Sequence, residues 1–417
     1  MGVIEVQSNG VGLVIEGLGS IAIASATTYP TTANLRFGSS NFCTVRGLTI
    51  SGGNYNIVLF NTNAVSIENN NFTSYTVRCI DASGFNFFSK VRFNFIAGGA
   101  DTSDHAVCFN GSPIGTTIEG NTVTGAKVWS FTLQGGAQNF KIINNVSQFS
   151  RREAITVIGT GGTISGNILN FDNTHVDLGS SFATMTNTII SNNIFTLPSS
   201  PAILFGSGCS SNIVSGNTMV APPRRVITGA VNNGSGLIRL TVSTAGLQTG
   251  DAPIFVNNVG GVPNANGSWT VTFIDATHLD LQGSTFAGLY TGGGYIGDQN
   301  WASVALYGDA SNNTISGNTT FNFNASAEFY AKEFGTNATN RIFNNVGDPP
   351  NDRPVFTVSA TSMIEDPIGT TVAKLPTNAR NGSRIFVTDG LVGSSPVTGG
   401  SAGTWAMRLN NAWRASP

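Results

Sequence analysis

Apolar and polar positions along the chain recur as one short phrase: an aliphatic residue, two variable positions, an asparagine, one more position, and usually a second apolar residue. Copies read IENNNF from Ile67, VRFNFI from Val91, IEGNTV from Ile118, IINNVS from Ile142, ISGNIL from Ile164, ISNNIF from Ile190, VSGNTM from Val214, ISGNTT from Ile315 and IFNNVG from Ile342. Two earlier copies, from Ile15 and Val45, carry Leu in place of Asn. From Val45 onward the starts are 22, 24, 27, 24, 22, 26, 24, 101 and 27 residues apart, so one interval alone breaks the period. A short apolar strand ending near a glycine precedes most copies, as in AVCFNG to Gly111 and SFTLQG to Gly135. Each unit therefore predicts two or three short strands.

Such a coil cannot bury its inner face alone, but stacked coils share one core. The asparagine has a physical reason in that arrangement. A tight corner between strands wants the left-handed backbone that Gly and Asn tolerate, and an Asn on each coil can bond to those above and below.

Composition narrows the class further. Of 417 residues, 20 are Lys or Arg and 22 Asp or Glu, so 10% are charged, far below an ordinary soluble domain, while Gly contributes 51. Helical bundles, coiled coils and charge-driven disorder need more Glu, Lys and Arg. A net charge of −2 gives no electrostatic footprint for nucleic acid. No apolar run reaches membrane-spanning length, and MGVIEVQSNG lacks the regions of a signal peptide, so neither membrane insertion nor secretion is expected. Cys43, Cys79, Cys108 and Cys209 are far apart, with no CxxC, and read as core thiols; no metal and no cofactor is expected.

With these repeats the chain resembles right-handed parallel β-helix proteins, the architecture of pectate lyases and of many bacteriophage tailspikes. The resemblance implies an all-β fold: a right-handed single-stranded parallel β-helix with an inserted small β-barrel-like module and a C-terminal β cap. The expected divisions are 1–222 for the first part of the helix, 223–299 for the inserted module, 300–347 for the last coils, and 348–417 for a linker and a capping or trimerisation module. Within the insertion LIRLTV, PIFV, SWTVTFI and HLDL read as strands, and the segment resembles a barrel-like module of phage and microbial surface proteins. LPTNARNGSRIFVTDG and TWAMRLNNAWRA resemble C-terminal pieces of phage tail fibres. Strand-like VIEV already at Val3 leaves no room for an anchoring domain in this chain, which points to a fragment of a longer spike or to attachment through another protein.

Aligning coils on Gly84, Gly111, Gly135 and Gly159 brings Arg78, His105, Trp129 and Glu153 into register, six residues before each glycine. Asp101, Asp104, Arg151, Arg152, His175 and Asp177 fall near the same corner. Unpaired charges inside the rod would cost several kcal/mol each, so the stripe is expected to face outward. Arg78, Asp101, His105, Trp129, Arg151, Arg152 and His175 are candidate substrate-binding residues, with Trp129 stacking on a sugar ring and the arginines gripping carboxylates or hydroxyls. Glu153, Asp177 and Asp104 are candidate catalytic residues. Adjacent coils place Glu153 and Asp177 about 5 Å apart if their phases match, and Glu153 and Asp104 about 10 Å apart. Glycoside hydrolysis needs such pairs; a lyase would use a base such as His105 or His175. The same charges also suit solvated corners or contacts between chains. The NTD and RxK phrases of polygalacturonases and a pectate-lyase calcium cluster are absent.

The expectation is a phage-type spike or fibre subunit in the virion, a homotrimer with other virion proteins as possible neighbours, made without a signal peptide, that binds bacterial capsule or lipopolysaccharide and either cleaves it or only holds it. A free polysaccharide lyase or hydrolase is the remaining alternative.

Overall fold

The computed structural model describes residues 4–6, 12–17, 20–23, 33–98, 105–126, 128–150, 152–170, 174–179, 184–196, 201–220, 225–244, 247, 249–250, 254–296, 302–321, 329–333, 339–347, 356–357, 362–370, 375, 383–387, 404–409 and 412–415. They fall into two compact units, residues 1–221 with 302–323 and 329–417, and residues 222–301 with 324–328.

The first unit is a parallel β-helix of about eleven turns. Each turn gives one strand to each of three sheets, here called A, B and C. The repeated aliphatic residue is the centre of each three-residue strand of sheet B. Val45, Ile67, Val91, Ile118, Ile142, Ile164, Ile190, Val214, Ile315 and Ile342 pair in direct register, each fully buried. Val214 stands directly beside Ile315, so the 101-residue interval leaves and rejoins the helix within one rung. β-Branched Val and Ile side chains at about 4.8 Å spacing make a continuous apolar column, which no single coil could bury.

The asparagines that follow form a buried ladder: Asn70, Asn94, Asn121, Asn145, Asn167, Asn193, Asn217, Asn318 and Asn345. Each Nδ2 donates to the Oδ1 of the next at 2.8–3.1 Å. Main-chain amides join in, as where Asn121 N–H also donates to Asn145 Oδ1 at 2.9 Å and Asn121 Nδ2 to Val91 O at 2.8 Å. The left-handed corner expected at the ladder asparagine falls one residue earlier, on Asn69, Phe93, Gly120, Asn144, Gly166, Asn192, Gly216, Gly317 and Asn344. One residue makes the bend, and the next turns its amide inward to satisfy the corner's backbone groups.

One glycine has a steric role in this core: a Cβ at Gly162 would lie 1.9 Å from the Phe140 ring, which fills the corner below it. At the C-terminus sheet B continues through Met363–Thr370 and Arg384–Val387, then turns antiparallel in Thr404–Leu409 and Ala412–Ala415. These strands belong to the same compact unit as the helix, and Trp413 is buried with Arg408 over its ring. The proline-rich segment 348–354 lies outside the described residues.

The second unit is two four-stranded antiparallel sheets around Ile238, Leu240, Val256, Val262, Leu279 and Leu281. Arg239 makes a two-pronged contact with Asp280 at 2.7 and 2.9 Å. His278 Nδ1 lies 3.0 Å from Asp275, whose carboxyl is held down to about 2, first by the Thr277 amide and then by His278. All four cysteines are buried, and none is in a disulfide. No described helix is long and apolar enough to cross a membrane.

Candidate functional site

Five neighbouring strands of sheet A, Arg78–Ser83, His105–Phe109, Trp129–Gln138, Ile155–Thr160 and Val176–Leu178, carry the stripe. Alternation sends Ile80, Val107, Phe131, Ile155 and Val176 into the core. The next positions, Asp81, Cys108, Thr132, Thr156 and Asp177, form one row on the opposite, outward face, buried except for half-buried Thr156. A second row, three residues earlier, sets Arg78 beside His105 and His105 beside Trp129. Extending the Phe131–Ile155 register back by two residues puts Glu153 beside Trp129.

Side chains in these rows interlock. Arg78 donates to Asp81 at 2.6 Å. Asp81 is only 2% exposed; burial pushes its carboxyl above the usual range, and Arg78 partly opposes that shift. The His105 ring stacks on Trp129 at 4.5 Å with 16° between planes, and its Nδ1 lies 2.9 Å from Thr132 Oγ1. The Arg152 guanidinium stands 5.3 Å from the centre of the Trp129 ring. The strands carrying His105 and following Arg152 flank the Trp129 strand on opposite sides. Trp129 is thus held between a histidine and an arginine, and the free platform expected for it is already occupied; exposed Arg152 is the outermost group of the stack.

Glu153 and Thr156, three residues apart on this face, are both half-buried. Glu153 Oε2 and Thr156 Oγ1 are buried atoms without a hydrogen-bond partner among the described residues. Such atoms are costly unless a ligand or water meets them.

The outward stripe needs three corrections. His175 is fully buried inside the helix, 5.5 Å from the Phe195 ring, and burial lowers its pKa to about 3. It belongs to the core and cannot touch a ligand on the outer face. Asp177 does point outward, but it is only 5% exposed and sits beside Thr156, not Glu153. The register match on which a 5 Å Glu153–Asp177 pair depended is therefore absent; one rung and three residues separate their backbones by about 11 Å. His105, 4% exposed, is a buried partner of Trp129 and Thr132 instead of an open surface group. Arg78, His105, Trp129 and Glu153 fall on successive rungs, as the glycine alignment has them, with Arg152 over the Trp129 ring, whereas Asp101, Asp104 and Arg151 lie outside the described residues. Asp81, Cys108, Thr132 and Thr156 were missed. They stand three residues before the same four glycines, so the alignment that found one row contained the other.

Among the described residues no group of three or more His, Cys, Asp and Glu side chains is placed to hold a metal ion. The face offers hydrogen-bonding groups and an exposed guanidinium. Cys209, whose thiol is pushed up to about 11 chiefly by burial with Asp177 among the minor causes, offers no ready nucleophile.

No protein-family model matches the chain, and no curated protein matches it. Among solved structures, similar ones include a tailspike protein of E. coli bacteriophage HK620 in complex with a pentasaccharide, at 10% identity and TM-score 0.49, covering 93% of this chain and 74% of that one. The tailspike receptor-binding domain of siphovirus 9NA aligns at 10% identity and TM-score 0.46, covering 91% of this chain and 62% of that one. PfbA, a surface adhesin of Streptococcus pneumoniae, aligns at 11% identity and TM-score 0.46, covering 99% and 88%.

Proposed function

We propose that this chain is a spike or fibre subunit of bacteriophage type that binds a bacterial surface polysaccharide, capsule or lipopolysaccharide O-chain, on the outer face of sheet A. In this reading it works as a homotrimer in the virion, beside other virion proteins. The observation that carries the binding reading is the pair of partnerless buried oxygens, Glu153 Oε2 and Thr156 Oγ1, next to the Arg152–Trp129–His105 stack. A sugar hydroxyl donates to the carboxylate and accepts from the threonine, so a polyhydroxylated ligand satisfies both. Arg152 adds charge-assisted hydrogen bonds to hydroxyls or uronate carboxylates.

Among the described carboxylates, which do not include Asp101 and Asp104, the spacing favours holding over cleavage. Asp81 and Asp177 stand four rungs apart, about 19 Å, and Glu153 is offset from Asp177 by three positions along the strand. A retaining pair needs about 5 Å, an inverting pair about 6.5–9.5 Å. If the chain does cleave glycan, Glu153 is the residue to lose: Glu153→Gln would abolish product formation. Screening the purified protein against capsular and O-chain polysaccharides, with assays for reducing ends and for unsaturated uronates, separates the readings. Binding without product supports the receptor-binding spike; binding with product, lost in Glu153→Gln, replaces it with a depolymerase; absence of binding to the host's own polysaccharide refutes both.

A further inference from the structure

The left-handed corner positions of the helix are filled mostly by Gly, Asn, Ser and Ala, yet at three of the corners flanking sheet B they are phenylalanine: Phe42, Phe88 and Phe93, at φ 52–54°. An aromatic residue there carries backbone strain of about 1–2 kcal/mol that Gly or Asn avoids. These rings are also open to solvent. Phe88 is 58% exposed and Phe93 52%, with Phe42 and Phe85 more so. Folding thus gains little from them and is opposed by the strain they carry.

Their setting is built, however. On the next coil stand Gly115 and Gly120, and a Cβ at either would lie 2.4–2.5 Å from the edge of the Phe88 or Phe93 ring. Each ring is anchored by its edge over a glycine while most of the residue stays uncovered. Phe88 and Phe93 bracket one strand, Lys90–Arg92, on which Lys90 is exposed and Arg92 pairs with Glu68 at 2.7 Å. Five residues of extended chain span about 16 Å.

We infer that Phe88, Lys90 and Phe93 form a second carbohydrate subsite on sheet B, separate from the face of sheet A, in which the two phenylalanines stack on sugar rings and Lys90 bonds to hydroxyls or a carboxylate. This rests on the polysaccharide-binding reading above and extends it to a second stretch of the same polymer. Two aromatic rings separated by charged Lys90, Arg92 and Glu68 fit a polar chain with apolar ring faces. They fit a protein partner poorly, because its interface core would bury those charges. Rings already fixed by glycine lose little freedom on binding.

The test uses Phe88→Asn and Phe93→Asn, singly and together. Asn occupies the equivalent corners, Asn139 and Asn187 for Phe88 and Asn69 and Asn144 for Phe93, so these variants keep or raise the melting temperature. The probe is an immobilised panel of bacterial capsular and O-chain polysaccharides, with affinity measured for those the wild-type chain binds. The double variant is expected to bind at least about tenfold more weakly, while Arg152→Gln weakens the same ligand independently. Unchanged affinity in the folded double variant overturns the subsite. A fall in molar mass by light scattering overturns it too, because the rings would then hold copies of the chain together. A wild-type chain that binds nothing on the panel refutes the polysaccharide reading itself, a result visible before any variant is made.

Discussion

Protonation of His175 gives the sharpest physical test of the core. Both ring nitrogens are buried without a partner among the described residues, and burial lowers the pKa from 6.5 to about 3. The folded chain therefore holds the ring neutral, while the unfolded chain takes up a proton below about pH 6.5. With the folded value depressed, the unfolded state binds more protons between those limits. Stability is complete above pH 6.5 and falls as the pH drops toward 3. Each unit costs about 1.4 kcal/mol, so the loss is about 2 kcal/mol at pH 5 and about 4 kcal/mol by pH 3. The other acidic groups of the chain also titrate in this range, so the informative quantity is the difference from His175→Leu. That variant removes two unsatisfied polar atoms and is expected to match or exceed the wild type at pH 7.5. Urea unfolding at pH 7.5, 6, 5 and 4 should show its advantage growing by about 2 kcal/mol between pH 7.5 and 5. A difference that stays constant with pH would refute the placement of a neutral imidazole in the core.

Other expectations follow from the same packing. Asn145→Ala interrupts the ladder, removing the Oδ1 that accepts from both the Asn121 N–H and Nδ2 and one of the two Asn145 donors to Asn167 Oδ1, the main-chain N–H remaining, and should cost about 2–4 kcal/mol in chemical unfolding. Gly162→Ala drives a methyl into the Phe140 ring and should destabilise strongly, whereas adding Phe140→Leu recovers part of the loss, a coupling read from a double-mutant cycle. Arg78→Met leaves Asp81 buried without its cation and should lower stability by about 3 kcal/mol at pH 7, with part of the loss recovered by Asp81→Asn.

The repeat was legible because its parts answer to separate physical needs. The aliphatic anchor at Ile118 or Ile142 fills the core, and the asparagine three residues on satisfies a corner, so both recur in each copy from Ile67 onward. The insertion was legible as the one break in that period. Within sheet A the chain is harder to read. In His105–Phe109 every residue is buried, so alternation no longer tells inward from outward. Glycine alignment placed Arg78, His105 and Trp129 correctly since their coils share a length between strand start and corner. The strand at Val176–Leu178 has no glycine in that register, and Asp177 accordingly lies three positions from its expected partner. Nor could charge alone place His175: an imidazole is neutral at modest cost, and the small residues beside it in the stack, Ala154 and Ala202, leave room for a ring in the core.

The central claim is that the outer face of sheet A holds a polysaccharide. Titration calorimetry of the wild type and of Arg152→Gln with a polysaccharide fraction that the wild type binds addresses it directly. Arg152 is exposed and packs against the Trp129 ring, so its replacement leaves the core intact. An affinity at least about tenfold lower, with unchanged melting temperature, is the predicted result; equal affinity in the two proteins would contradict it.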